Sequence, residues 1–165
     1  MTVRSQHPFT VSSRDVLAIA VPASLAFITE PLVGFVDITV IGRLGDAALV
    51  AHGIELICLA GFMRILSPAF VSEWRGRILN IHPSLLPAYP GLGTHARVLA
   101  AGEKTHGATV HVVTEELDAG ATILQESLLV EAGDTAATLA ARVHQLEHRI
   151  YPAALRQVAE GILKQ

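Results

Sequence analysis

Hydrophobic positions fall into three patterns along this chain: one long continuous run near the front, several dense runs of strand length in the middle, and a helical spacing at the end. The run Glu55-Leu-Ile-Cys-Leu-Ala-Gly-Phe-Met63 is apolar almost throughout, which predicts a strand buried in a parallel sheet. Ser67-Pro68 pairs a capping residue with a proline suited to the first helical position. It predicts a short helix through Trp74 that stops at Gly76. Ile78 to Ile81 reads as the next strand. Strand, helix, strand in this order is a βαβ unit. Its right-handed crossover places Arg64-Ile65-Leu66 and Asn80 to His82 on one rim, the rim where open α/β sheets bind ligands.

Pro83, Pro87 and Pro90 then stiffen a loop. Thr94 to Ala101 is predicted helical with Gly102 as its stop, and Thr109 to Val113 is a further strand. Thr114-Glu-Glu-Leu-Asp-Ala-Gly120 is a polar loop at that strand's end, followed by another strand over Thr122 to Val130. Gly133-Asp134-Thr135 opens a last helix, with Leu139, Val143, Leu146 and Ile150 at helical spacing. The pattern is interrupted near Pro152 and resumes through Leu155 and Val158. The alternation defines an α/β fold.

Composition changes this picture in three places. At 165 residues the chain has room for one domain, or a small domain with an appendage. Net charge is −3 and no Lys/Arg run with interleaved aromatics occurs, which argues against a nucleic-acid partner. The single cysteine, Cys58, lies inside an apolar run and reads as a small core residue of a protein in a reducing compartment. Mean hydropathy is +0.47, high for a soluble domain, and the excess is at the front.

Val16 to Gly42 is long enough to cross a bilayer yet carries Glu30 and Asp37. The soluble alternative is a buried helix started by Ser12-Ser13-Arg14-Asp15 and broken at Pro31. With Pro22-Ala23-Ser24, Pro31-Leu32, Val36-Asp37 and Gly42-Arg43-Leu44-Gly45-Asp46-Ala47-Ala48, residues 11–48 resemble the first helix and turn of a multidrug and toxin extrusion transporter. That resemblance implies a cation-coupling place for Asp37. One helix makes no pathway, so Asp37 is expected to be an isolated acid. Residues 1–48 are set apart as a transporter-like hydrophobic segment from 49–165.

The useful chemistry lies later. Asn80 and His82 are two apart, so on a strand both side chains leave one face, roughly 7 Å apart, and can converge on one small group. With Asp118 they form a set in which an amide donates to a carbonyl oxygen, an imidazole shuttles a proton and a carboxylate tunes it. This suits acyl transfer between amines with no covalent nucleophile. Ser84 lies outside any Gly-x-Ser-x-Gly elbow, so serine hydrolysis is poorly supported.

The motifs Ala60-Gly-Phe-Met-Arg-Ile-Leu66, Asn80-Ile-His-Pro-Ser-Leu-Leu-Pro87, Tyr89-Pro-Gly91, Thr94-His95, His106-Gly107, Thr114-Glu-Glu-Leu-Asp-Ala-Gly120, Gly133-Asp134 and Glu147-His148-Arg-Ile-Tyr-Pro152 together resemble the glycinamide ribonucleotide formyltransferases over about 49–161. The resemblance implies the folate-binding and catalytic half of a Rossmann-like fold in a cytoplasmic purine-biosynthesis enzyme. It implies that Met63, Arg64, Ile65 and Leu66, together with Thr114, Glu115, Glu116, Leu117 and Asp118, embrace the pterin of 10-formyltetrahydrofolate. Asn80 and His82 would hold the formyl group, with His82 as proton donor tuned by Asp118. Glu147, with His144 near it, would receive the amine of glycinamide ribonucleotide. The family's phosphate-binding Gly-Ser-Asn loop has no counterpart in residues 1–48.

Two alternatives stand beside that reading: formyltetrahydrofolate hydrolysis, with water in place of the amine, and an inactive fusion fragment held at a membrane through 16–42. Leu56 to Phe62, without the strands that precede it in the family, is expected to be an apolar edge open to self-association. His144-Gln-Leu-Glu-His148 fits the inverted zinc-protease spacing, but no third ligand is evident and no metal is expected. His7, His52 and His95 carry no signal, and His106 and His111 read as strand or loop residues.

Overall fold

The computed structural model describes residues 56–159 and Gly161. Its elements are β1 (Ile57–Leu59), α1 (Pro68–Glu73), β2 (Ile78–His82), α2 (Thr94–Ala100), β3 (Thr105–Val112), β4 (Thr122–Leu129) and α3 (Ala136–Ala159). They build one mixed sheet in the order β1-β2-β3-β4. β1 and β2 run parallel, with Ile57 beside Ile78 and Leu59 beside Asn80, so β1-α1-β2 is the βαβ unit read from the sequence. β3 and β4 add to β2 in antiparallel fashion, pairing Asn80 with His111 and His82 with Thr109.

The two-residue period of the strands sorts side chains onto two faces. Ile57, Leu59 and Ile78 pack with Trp74 from the end of α1. On the opposite face Ile81, Ala108 and Val110 pack against Leu139, Val143, Leu146 and Ile150 of α3. Asn80 and His82 share the α1 face with Ile78, and their register partners His111 and Thr109 lie on it too. Sheet alternation alone therefore collects four polar side chains at one place, away from the α3 core.

Local signals explain the element ends. The Ser67 hydroxyl accepts from the Phe70 N–H, with Pro68 in the first turn, and this caps α1 as expected. β1 stops at Leu59, short of the expected Met63, because Gly61 takes φ +68 and turns the chain off the sheet. β3 begins four residues before the expected Thr109, since β4 pairs with it from Thr105 onward. The polar Thr105-His106-Gly107 start hides that extension in a hydrophobicity pattern. α3 runs unbroken through Pro152, contrary to the expected interruption. Ile150 and Ala154, both buried in the same core, anchor the helix on either side of a proline that itself faces outward. Val16 to Gly42 and its transporter likeness lie outside the described residues. Among the described residues no helix is long and apolar enough to cross a membrane.

Candidate active site

β2 ends by presenting Asn80 and His82, and the loop after β3 brings Asp118 to them. Asp118 Oδ2 lies 3.4 Å from His82 Nδ1, with both side chains almost wholly shielded from solvent. The same Oδ2 accepts from the Gly91 N–H at 2.8 Å. Asp118 holds this place with φ +52, a left-handed conformation that aspartate tolerates better than most residues. On its other side His82 Nε2 meets the Tyr89 carbonyl oxygen at 3.0 Å. Both neighbours of the ring are acceptors, the Tyr89 carbonyl at hydrogen-bond distance and the Asp118 carboxylate a little beyond it.

His111, read from sequence as a strand residue, belongs to this site. Its Nδ1 donates to the Val112 carbonyl oxygen at 3.0 Å, which leaves Nε2 of the neutral ring to accept from Asn80 Nδ2 at 3.3 Å. Burial lowers the His111 pKa and outweighs the opposing influence of the Val112 hydrogen bond and the Asp118 charge. Asp118 Oδ1 is 3.7 Å from the same Nε2, so the carboxylate lies between both imidazoles. An amide carries two N–H groups, and His111 engages one of them. The other can serve a ligand oxygen. Antiparallel register with Asn80 was the signal that could have found His111, and it requires knowing that β3 pairs with β2.

The remaining expected site residues frame this centre unevenly. Met63 and Ile65 project into solvent at 71% and 86% exposure, Arg64 is exposed between them, and Leu66 packs inward on the Trp74 cluster. Thr114, Glu115 and Glu116 are exposed, and the Thr114 hydroxyl donates to the Glu116 carbonyl oxygen within the loop. Leu117 is exposed and reaches toward Gly91. Glu147 is half-buried on α3, and burial pushes its carboxyl up to about 7. One turn along the same side of α3, the Tyr151 hydroxyl donates to the carbonyl oxygen of Leu59, the last residue of β1. This brings that side of the helix to the carboxyl end of the sheet.

Burial lowers the pKa of His144, helped by the neighbouring His148. The two rings lie 4.2 Å apart, as their one-turn spacing implies, but among the described residues no cluster of three His, Cys, Asp or Glu could hold a metal. His95 and His106 also form a pair the sequence did not signal, Nδ1 to Nε2 at 3.0 Å. Burial, then the charges of His95 and His82, push His106 down to about 4.

A strand-end amide and imidazole beside a buried carboxylate can polarise a carbonyl group and move a proton. The profile of the formyl transferase family matches residues 44–155, and the chain belongs to that family. Among named relatives it is 56% identical over 110 residues to the phosphoribosylglycinamide formyltransferase of Escherichia coli, covering 67% of this chain and 52% of that one. It is 56% identical over 119 residues to the trifunctional purine biosynthetic protein adenosine-3 of Gallus gallus, covering 72% of this chain and 12% of that protein. The chain thus spans about half the length of the single-function relative and a small part of the trifunctional one. Among solved structures, the phosphoribosylglycinamide formyltransferase from Anaplasma phagocytophilum superposes with a TM-score of 0.70 at 44% identity, over 72% of this chain and 58% of that one.

Proposed function

We propose that this chain carries the formyl-transfer chemistry of a phosphoribosylglycinamide formyltransferase, moving the formyl group of 10-formyltetrahydrofolate to the amine of glycinamide ribonucleotide in purine biosynthesis. The observation that carries the reading is the close grouping of Asn80, His82, His111 and Asp118, in a chain 56% identical over 110 residues to an enzyme named for that reaction. The amine nitrogen attacks the formyl carbon, a C–N bond forms, and the carbonyl oxygen becomes an oxyanion. The free N–H of Asn80 and the imidazole N–H of His82 are the donors for that oxyanion, the latter turning from the Tyr89 carbonyl that it engages here. The bond to N10 of the folate then breaks, and the proton lost by the amine passes through His82 to N10.

In this reading Asp118 orients the donor ring. Met63, Arg64, Ile65 and Leu66 flank the pterin with Thr114, Glu115, Glu116, Leu117 and Asp118. In this reading the ligand covers Met63, Ile65 and Leu117, which are otherwise left to solvent. Glu147 and His144 receive the amine. Residues 49–165 form the catalytic unit, working in the cytoplasm, and 1–48 a separate hydrophobic segment. Carbonate-resistant pelleting with membranes tests whether 16–42 anchors the chain.

Formyl transfer is measured from 10-formyltetrahydrofolate to glycinamide ribonucleotide, with His82→Ala as control. Activity of the wild-type chain well above the variant is expected, and equal rates would overturn the reading. Formate release without ribonucleotide would instead point to hydrolysis, the reaction named for a formyltetrahydrofolate deformylase from Pseudomonas syringae, 32% identical with a TM-score of 0.67.

A further inference from the structure

The loop that holds His82 and Asp118 is fastened at Thr109, the cross-strand partner of His82. Thr109, fully buried on β3, donates its hydroxyl proton to the Ser84 carbonyl oxygen at 2.7 Å and accepts from the Leu86 N–H at 3.1 Å. Its second lone pair accepts from Gln125 Nε2 at 2.8 Å, so the hydroxyl is saturated. The same Gln125 nitrogen donates its other proton to the Leu86 carbonyl oxygen at 2.9 Å. Gln125 lies on β4, across β3 from β2, and its hydrogen bonds go to Leu86 and Thr109, not to Asn80, His82, His111 or Asp118.

The fastened segment is itself stiff. The Ser84 hydroxyl donates to the Ala88 carbonyl oxygen at 2.7 Å, and the Ala88 N–H donates to the Leu85 carbonyl oxygen at 3.0 Å. Ser84 to Ala88 therefore moves as a unit. The next residue, Tyr89, gives the carbonyl that meets His82 Nε2, and Gly91 gives the N–H that meets Asp118 Oδ2. A displacement at Leu86 is carried within a few residues to both members of the proton-donor pair.

We propose that Gln125 is a positioning residue, clamping the Ser84–Leu86 segment through one hydrogen bond donated to Leu86 and one to the Thr109 hydroxyl that itself holds the segment, so that Tyr89 and Gly91 orient His82 and Asp118. As a statement about catalysis it rests on the formyl-transfer reading; as a statement about the loop it does not. Its two donors are what matter, not its bulk. Gln125→Met keeps the length and removes both donors, whereas Gln125→Lys keeps donors within reach of the same two oxygens.

Amide hydrogen exchange followed by NMR on the whole chain reads the clamp directly. In Gln125→Met the Leu86 and Gly91 amides should exchange about tenfold faster or more, the change expected from losing a net hydrogen bond, while core amides of β3 and α3 keep their rates. Gln125→Lys should stay close to wild type. In the transfer assay the Met variant should lose roughly ten- to a hundredfold in kcat with KM for the folate little changed, as a misplaced donor predicts. Unchanged Gly91 exchange in the Met variant would overturn the proposal, and so would equal loosening in the Lys variant. Should the Met variant not fold, Gln125→Ser serves the same comparison. If the wild-type chain transfers no formyl group, the function reading fails, while the exchange comparison still decides the clamp.

Discussion

Glu147 offers a quantity that can be worked through from burial to a measured curve. Burial raises its carboxyl from an ordinary 4.5 to about 7, and among the described residues no ion pair reaches it to offset that cost. Below pH 4.5 the carboxyl is protonated in folded and unfolded chains alike, so it takes nothing from stability. Between 4.5 and about 7 the folded chain keeps a proton that the unfolded chain has released, so stability falls as pH rises, by about 1.4 kcal/mol per pH unit. The full loss is about 3 kcal/mol and is complete by about pH 8. Glu147→Gln keeps the shape and cannot ionise. Urea unfolding of both proteins from about pH 4 to 8 should give a difference near zero at the acid end, growing to about 3 kcal/mol in favour of Gln. His106, pushed down to about 4, works in the opposite sense, adding stability as pH rises from about 4 to 6.5. It is common to both proteins and cancels in the difference. Saturating glycinamide ribonucleotide, whose ammonium form would supply the absent cation, should shrink the gap. A difference independent of pH would refute the reasoning, because the carboxyl would then be ordinary in the folded state.

Three further outcomes follow from the geometry. Asp118→Asn keeps a residue tolerant of φ +52 and an acceptor for the Gly91 N–H, so stability should change by no more than about 1 kcal/mol, while losing the charge beside His82 should cut kcat by about 10²-fold or more, read in the transfer assay. Gly107→Ala would set a methyl 2.1 Å from the Glu126 carbonyl oxygen and 2.7 Å from Leu85, and should destabilise by about 3 kcal/mol or more in thermal unfolding, because backbone of the paired strand cannot yield cheaply. Trp74→Phe loses apolar area but also removes an indole N–H that is buried without a partner, so its unfolding free energy should fall by less than about 2 kcal/mol, well under the roughly 3–5 kcal/mol expected of Trp74→Ala.

Much of the sheet was legible because its apolar runs are dense and two of its breaks are marked by Gly76 and Gly102, whereas Gly61, also at left-handed φ, ends β1 inside a run that reads as continuous strand. The candidate site strand was legible for the same reason: Asn80 and His82 are the polar residues of an otherwise apolar Ile78 to His82, and polar residues there have to be used or satisfied. What failed to show was long-range pairing. His111 looks like any strand histidine until the register sets it opposite Asn80. His95, on α2, and His106, on β3, are eleven residues apart, and nothing local announces their 3.0 Å contact. The early start of β3 was hidden because Thr105, His106 and Gly107 draw their place from β4 and not from their own hydrophobicity.

The main chain does much of the orienting at this site, which is why side-chain identity alone understates it. His82 is held by the Tyr89 carbonyl, Asp118 by the Gly91 N–H, and His111 by the Val112 carbonyl. Tyr89 and Asp118 both sit at positive φ, a conformation that costs on the order of 1 kcal/mol each for residues with a Cβ and persists only where surrounding bonds determine it. The hydrogen bonds of Ser84, Thr109 and Gln125 supply that determination upstream of Tyr89, and the Gly91–Asp118 bond supplies it downstream. Two left-handed residues at the two acceptors of one imidazole are thus the local cost of aiming His82. Relaxing either one should show in proton transfer before it shows in folding.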